Sequence, residues 1–339
     1  MVFPIDVAWL ALHDEAALTP ELSIVDAHHH LWESHGSYLL DALSQDTSAH
    51  RIVATIFCQS EDGYDTQGPA ALRPVGETRR VAQLAEQAVI SNPDCHVARG
   101  IVAYSDLTLG QAVGEVLDAH AAAAPGRFCG IRHVAARDEA FAARLPDQPP
   151  PRLLEQAGFR LGCRELQRRN LAFDAWVYHP QLADVLALAR DMPELRIILN
   201  HVGGPLGAGP YRGQREQAYK DWKQSMRALA SCRNVWVKLG GLGMPIGGFD
   251  FHKQKTPPSS MALAAAWQPY IEPVIDWFGP QRCMFESNFP VDKMSCSYTV
   301  LWNAFKRITA DASAYETRLL FHDTALCAYG LEPKAAQDP

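Results

Sequence analysis

With 339 residues, 47% of them hydrophobic, the chain can bury a large core and is too apolar to be intrinsically disordered. Its formal charge is −7, and lysine and arginine are scattered with no basic stripe or tail. That balance argues against nucleic acid or an anionic membrane as partner and leaves a small molecule.

In chain order, the N-terminal arm (1–22) carries one short apolar patch, no basic segment before it and acidic residues after it, so no signal peptide is expected. No apolar run approaches the roughly 18 to 20 residues of a membrane-spanning helix. Eight short apolar runs rich in β-branched residues then predict strands at 23–31, 51–59, 96–106, 128–134, 171–179, 196–203, 234–242 and 282–290. Amphipathic helical patterns follow them, for example at 77–90, 181–192, 215–230 and 298–310. The runs are apolar on both faces, as buried parallel strands are. An eightfold alternation of this kind predicts an α/β fold, a (β/α)8 TIM barrel, forming one domain over 1–339. A doubly wound open sheet is the rival, but it would more typically place a glycine-rich phosphate loop after its first strand, where this chain has histidines. Irregular stretches at 60–76, 203–213 and 243–260 follow strands two, six and seven, on the face where barrel enzymes build their sites.

The cysteines at 58, 95, 129, 163, 232, 283, 296 and 327 include no C-x-x-C pair. They suit reduced, mostly buried thiols in a cytoplasmic enzyme.

The chemistry concentrates at strand ends. Strict alternation along the first strand would put Asp26, His28 and His30 on one face and Ala27 and His29 on the other. His28 and His30 then converge in the barrel mouth, the competing reading being two solvated polar residues. His133, His179 and His201 end strands four, five and six, which favours a shared site. His29, His35, His50, His252 and His322 have no such support.

Four segments, Asp26 to His30 (D-x-H-x-H), GIRHV (130–134), NHVGGP (200–205) and SNFPVD (287–292), resemble the lactonase-like branch of the amidohydrolase superfamily, which holds the 2-pyrone-4,6-dicarboxylate, L-fucono- and L-rhamnono-lactonases. The resemblance runs from about Ile24 to Tyr329. It implies hydrolysis at the barrel mouth, with His28, His30, His201 and the position of Asn288 around an attacking water, with or without a divalent metal. Zinc or manganese on His28, His30 and His201 is the implied metal site. The family has an aspartate where this chain has Asn288, and an amide is neither a general base near neutral pH nor an anionic ligand. The metal is therefore expected to be weakly bound or absent.

Glu286, which shares strand parity with Asn288, and Asp292, in the loop beyond, can replace the missing acid. Glu286 equally suits an ion pair with Lys238, and Asp292 a turn role. His201 or His28 is the favoured base. Arg132 suits a clamp on a substrate carboxylate, or an ion pair closing the barrel interior. Lys238 can polarise a carbonyl or balance Glu286, and His133, His179 and Tyr178 complete the expected substrate contacts, although Tyr178 and Tyr211 equally suit plain packing. The expected activity is opening of a small acidic or sugar-derived lactone. The alternatives are a metal-assisted non-oxidative decarboxylase and a catalytically silent binding barrel. A homo-oligomer stays open.

Overall fold

A computed structural model describes residues 5–141 and 148–331. The eight apolar runs form eight strands: β1 (Ile24–His29), β2 (Ile52–Cys58), β3 (His96–Ala103), β4 (Phe128–Ile131), β5 (Ala172–Ala175), β6 (Ile197–Leu199), β7 (Val235–Leu239) and β8 (Cys283–Phe285). Each lies inside its expected run. They pair in parallel and in sequence order. The circle is completed just past β8, where the His30 amide donates to Phe289 O at 2.8 Å and the Asn288 amide to His28 O at 2.9 Å. The fold is a (β/α)8 TIM barrel.

The helices are α1 (Val7–Leu10), α2 (Leu40–Thr47), α3 (Val75–Ser91), α4 (Val113–Ala123), α5 (Ala157–Arg168), α6 (Leu182–Asp191), α7 (Arg215–Leu229), α8 (Ser260–Phe278), α9 (Tyr298–Ile308), α10 (Ala314–Arg318) and α11 (Thr324–Tyr329). Local chemistry fixes their starts: Ser259 and Ser297 accept from the amides of Ala262 and Val300, satisfying donors that the first turns of α8 and α9 leave open. The arm is strapped across these two helices. Glu15 accepts from the Ser260 amide at 2.7 Å, and Asn303 Oδ1 from the Leu18 amide at 2.7 Å. Residues 1–4 of the arm and 332–339 lie outside the described residues. Among the described residues no helix is long and apolar enough to cross a membrane.

Apolar side chains sort into two layers. An outer layer packs strands on helices, as where Phe285 stacks on Phe305 at 4.5 Å between ring centres. Emptying such a site, as in Phe285→Ala, costs about 3–5 kcal/mol. The inner layer, with Val25, Ala27, Ile56, Cys58, Ile198 and Met284, fills the barrel, and Tyr329 and Leu331 pack into it from the chain's C-terminal end.

One expectation fails here. Ala27 packs in the inner layer, whereas the Asp26 carboxylate reaches Tyr298 on the enclosing helix α9. The β1–β2 register slips between Asp26 and His29. A bulge of this kind resets the alternation, so His28 and His30 face inward without sharing Asp26's face.

Candidate active site

Asp26 is a fastener for the barrel seam. Its Oδ1 accepts from the amides of Ser287 (2.8 Å) and His28 (3.2 Å), and its Oδ2 from the hydroxyls of Ser287 (2.6 Å) and Tyr298 (3.0 Å). Burial still outweighs these donors and pushes its pKa up to about 6.

His28, carried past the bulge, is fully buried and touches four groups. Its Nε2 lies 3.2 Å from His30 Nε2 and 3.2 Å from Arg132 Nη1. Its Nδ1 lies 3.3 Å from Lys238 Nζ and 2.9 Å from Glu286 Oε2. His30 Nδ1 sits 2.8 Å from Cys58 O, which as an acceptor requires the proton there and leaves His30 Nε2 with a lone pair. Burial holds both imidazoles well below their usual pKa, with Lys238 adding to the effect on His28 and Arg132 on His30.

Opposite stands His201, at the end of β6. Its Nδ1 is 2.7 Å from Glu286 Oε1, which also accepts from the His201 backbone amide at 3.1 Å. A carboxylate can only accept, so Nδ1 bears the proton and Nε2 keeps the lone pair. Burial lowers the pKa of His201, with Glu286 opposing the shift. The ring has room because of glycine. A Cβ on Gly241, whose φ is +68°, would lie 2.3 Å from His201 Nδ1, and a Cβ on Gly240 would lie 2.5 Å from Glu286 Cγ. Trp176 closes the other side with its ring edge-on at 4.5 Å.

Lys238 pairs with Asp174 at 2.8 Å, both fully buried, and not with Glu286 as the sequence suggested. Burial is the largest single influence and works against its charge, but Asp174, Cys58 and Glu286 together outweigh it and raise its pKa. Glu286 is thereby left to His28 and His201. Sequence reasoning missed Asp174 and its other partners, Asn200 (2.9 Å) and Tyr329 (2.8 Å). The available signal was one acid and one lysine, each inside an apolar strand run, which cannot be buried unpaired.

The remaining candidates lie around this core. Arg132 reaches Gln59 O with Nη2, while its buried Nε finds no partner among the described residues. The Asn288 side chain donates to Asp292 Oδ1 at 2.8 Å, and Asp292 Oδ2 accepts from the Gly243 amide at 2.9 Å. Burial pushes Asp292 up to about 8. His133 Nδ1 accepts from the Leu107 amide and His179 Nδ1 from the Leu206 amide, both at 3.2 Å, so each pins the loop of a neighbouring strand. Tyr178 packs with Ala136, Phe141 and Leu206, and Tyr211 donates to Asp138 at 2.6 Å. His29 faces away, 2.8 Å from Thr55 Oγ1.

Among the described residues, the donors that gather closely enough for one metal ion are His28, His201 and Glu286, with one atom from each lying within 4.8 Å of the others. The set differs from the expected one: Glu286 stands in place of His30 and supplies the anionic oxygen that Asn288 lacks. Its Oε2 faces His28 Nδ1 at 2.9 Å off the line of a hydrogen bond, and finds no hydrogen-bond partner among the described residues. An orphaned carboxylate oxygen beside two imidazoles fits a divalent cation.

The family described as Amidohydrolase matches residues 25–331, and the chain belongs to it. The chain is 32% identical over 332 residues to the uncharacterized protein y4mH of Sinorhizobium fredii, covering 91% of this chain and 99% of that protein. It is 27% identical over 337 residues to an L-fucono-1,5-lactonase of Burkholderia multivorans, covering 92% and 98%. Among solved structures, an amidohydrolase from Burkholderia multivorans with bound zinc superposes with a TM-score of 0.69 at 24% identity, covering 92% of this chain and all of that one. A putative 2-pyrone-4,6-dicarboxylic acid hydrolase from Pseudomonas putida gives 0.59 at 18%, covering 92% and 98%.

Proposed function

We propose that this amidohydrolase is a lactonase that opens a small acidic or sugar-derived lactone with an activated water. The observation that carries the reading is the buried His201–Glu286 pair, an imidazole with its Nδ1 proton fixed on a carboxylate and its Nε2 available as a base. The L-fucono-1,5-lactonase relative, aligned over nearly its whole length, supports the substrate class.

In this reading His201 Nε2 removes a proton from water as its oxygen attacks the lactone carbonyl carbon, and Glu286 stabilises the imidazolium that forms. Arg132, permanently charged and beside His28, stabilises the developing oxyanion and orients an acidic substituent. When the ring C–O bond breaks, the alkoxide takes the proton back from His201. His28 and His30 hold the water's far side, and His133 and His179 set the loops that wall the mouth. A zinc or manganese ion held by His28, His201 and Glu286 would polarise the carbonyl and acidify the water. It would be held weakly, because Arg132 and Lys238 place two positive charges against His28. Seven of the eight cysteines are buried, which supports reduced thiols and a cytoplasmic enzyme.

The test is a panel of sugar-acid and dicarboxylate lactones followed by proton release with a pH indicator. Hydrolysis abolished by His201→Asn is expected. Carbon dioxide release from aromatic acids, with every lactone untouched, would replace this reading by decarboxylation.

A further inference from the structure

We propose that Tyr64 is a substrate-binding residue: its hydroxyl and the unused N–H bonds of Arg132 form one anion subsite, which restricts the enzyme to lactones bearing a free carboxylate and turns away neutral sugar lactones. The proposal rests on the lactonase reading above and names the substrate class within it.

Arg132 supplies the charge. It stands at the end of β4, is 7% exposed, and touches His28 Nε2 at 3.2 Å and Gln59 O. Of the five N–H bonds of a guanidinium, these contacts use two. Nε has no partner among the described residues, and neither contact is a carboxylate. A buried cation without a counter-charge is strongly unfavourable, so the site is built for an anion from outside the chain. The acids nearby are engaged elsewhere: Glu286 Oε1 with His201 Nδ1 at 2.7 Å, and Glu77 Oε1 with the amides of Ser60 and Asp62 at 2.8 and 3.1 Å.

Tyr64 supplies a second donor. It lies in the loop after β2, and its buried hydroxyl has no hydrogen-bond partner among the described residues. Burial holds the phenol well above its ordinary pKa, with the Arg132 charge in reach and opposing the shift, so the proton stays on and the hydroxyl donates. The ring stacks on Tyr104 with 6.4 Å between centres, and Tyr104 packs edge-on against His133 at 5.4 Å. His133 is pinned in turn by the Leu107 amide at 3.2 Å. The ends of β2, β3 and β4 therefore fix the phenol before any ligand arrives.

Two kinds of ligand could join an orphaned phenol to an orphaned guanidinium N–H. A hydroxyl oxygen can accept from both but leaves the buried charge as it was. A carboxylate accepts from both, with one oxygen for each, and neutralises the cation as well. Charge therefore decides for the acid.

The experiment measures, by titration calorimetry on the full chain, the binding of a panel of cyclic-ether carboxylates, which carry the ring of a lactone and cannot be hydrolysed, and of their matched carboxamides. Wild type should bind the best carboxylate at least about tenfold more tightly than its carboxamide. Tyr64→Phe should weaken that carboxylate about tenfold, the loss of one charge-assisted hydrogen bond, and leave the carboxamide within about twofold. Because the hydroxyl has no partner to lose, the variant's urea midpoint should not fall. On lactones, wild type should open acidic rings in preference to neutral ones, and Tyr64→Phe should raise KM for the acidic rings with kcat little changed. A wild type that binds carboxylates no more tightly than carboxamides, or opens neutral sugar lactones faster than acidic ones, would overturn the proposal. So would a Tyr64→Phe that binds the carboxylate like wild type, weakens both ligands equally, or unfolds at lower urea. The wild-type comparisons need no variant and decide the matter even if Tyr64→Phe does not fold. Carboxylates bound with the expected preference while no lactone is opened would keep the subsite and remove the lactonase reading.

Discussion

Replacing Gly241 with alanine separates backbone strain from displacement of the proposed base. At a φ of +68° an L side chain is strained by about 1–2 kcal/mol. The new methyl would also sit 2.3 Å from His201 Nδ1 and 2.4 Å from Cγ, so the imidazole must move. Moving it forfeits the 2.7 Å contact with Glu286, a hydrogen bond to a charged group worth about 1.5–3 kcal/mol. Together the losses come to about 2.5–5 kcal/mol. The variant should unfold in urea with stability reduced by that amount and should turn over lactone at least about a hundredfold more slowly, since a shift of about 1 Å in a reacting group costs that much. Gly126→Ala is the control. Its φ of +70° matches, yet nothing lies within 4 Å of the added Cβ, so it should lose only the strain and keep full turnover. If Gly241→Ala behaves like Gly126→Ala in both assays, Gly241 is not the cradle of His201 and the packing argument for the base is wrong.

His201→Asn should abolish most lactone turnover together with the acidic limb of kcat/KM; because burial lowers this histidine's pKa, the wild-type limb should lie below the ordinary imidazole value of about 6.5, and a limb above it would point to another base. Glu286→Gln should slow turnover and move that limb further toward acid, since the carboxylate is what opposes burial; an unmoved limb in pH-rate profiles would separate Glu286 from the base. Arg132→Lys should raise KM more than it lowers kcat, because an ammonium cannot span His28 and Gln59 O while holding substrate, and steady-state kinetics with KM unchanged would return Arg132 to a structural role. Treatment with a chelator should leave most turnover in place given the two cations against His28, and full loss restored by zinc would reverse that expectation. For stability, the folded pKa of Asp292 (about 8) lies above that of an unfolded aspartate (about 3.9), so its contribution is complete below the unfolded value and lost as pH rises through 8. Urea unfolding should weaken between pH 5 and about 9 by up to about 1.4 kcal/mol per unit from this group, and Asp292→Asn should flatten the decline.

The barrel was legible because its signal is redundant: each strand is apolar on both faces and separated from the next by helical periodicity, so errors at strand ends leave the order intact. The site was legible only in part. His28 and His30 could be read from spacing. The face taken by Asp26 could not, because it depends on a register slip that no alternation rule contains. From sequence Glu286 suits either the missing acid or an ion pair with Lys238, and its contacts with His28 and His201 follow only once β8 is placed against β1 and the end of β6. Asp174 was hidden for a plainer reason: a single acid in LAFDAWV reads as a flaw in an apolar strand until Lys238 is brought beside it by folding.

The seam of the barrel also constrains how the protein can come into being. Ser287 is tied to Asp26 across a separation of 261 residues, and the backbone bonds of His28 and His30 are made to residues 288 and 289. A nascent or truncated chain that stops short of that last strand end lacks Glu286 and leaves His28 on an open edge, so partial barrels carry the histidines without the carboxylate that joins them in the proposed site. Closing so long a loop is entropically unfavourable until the layers beneath have packed. The proposed site should therefore be completed late in folding, with closure of the barrel.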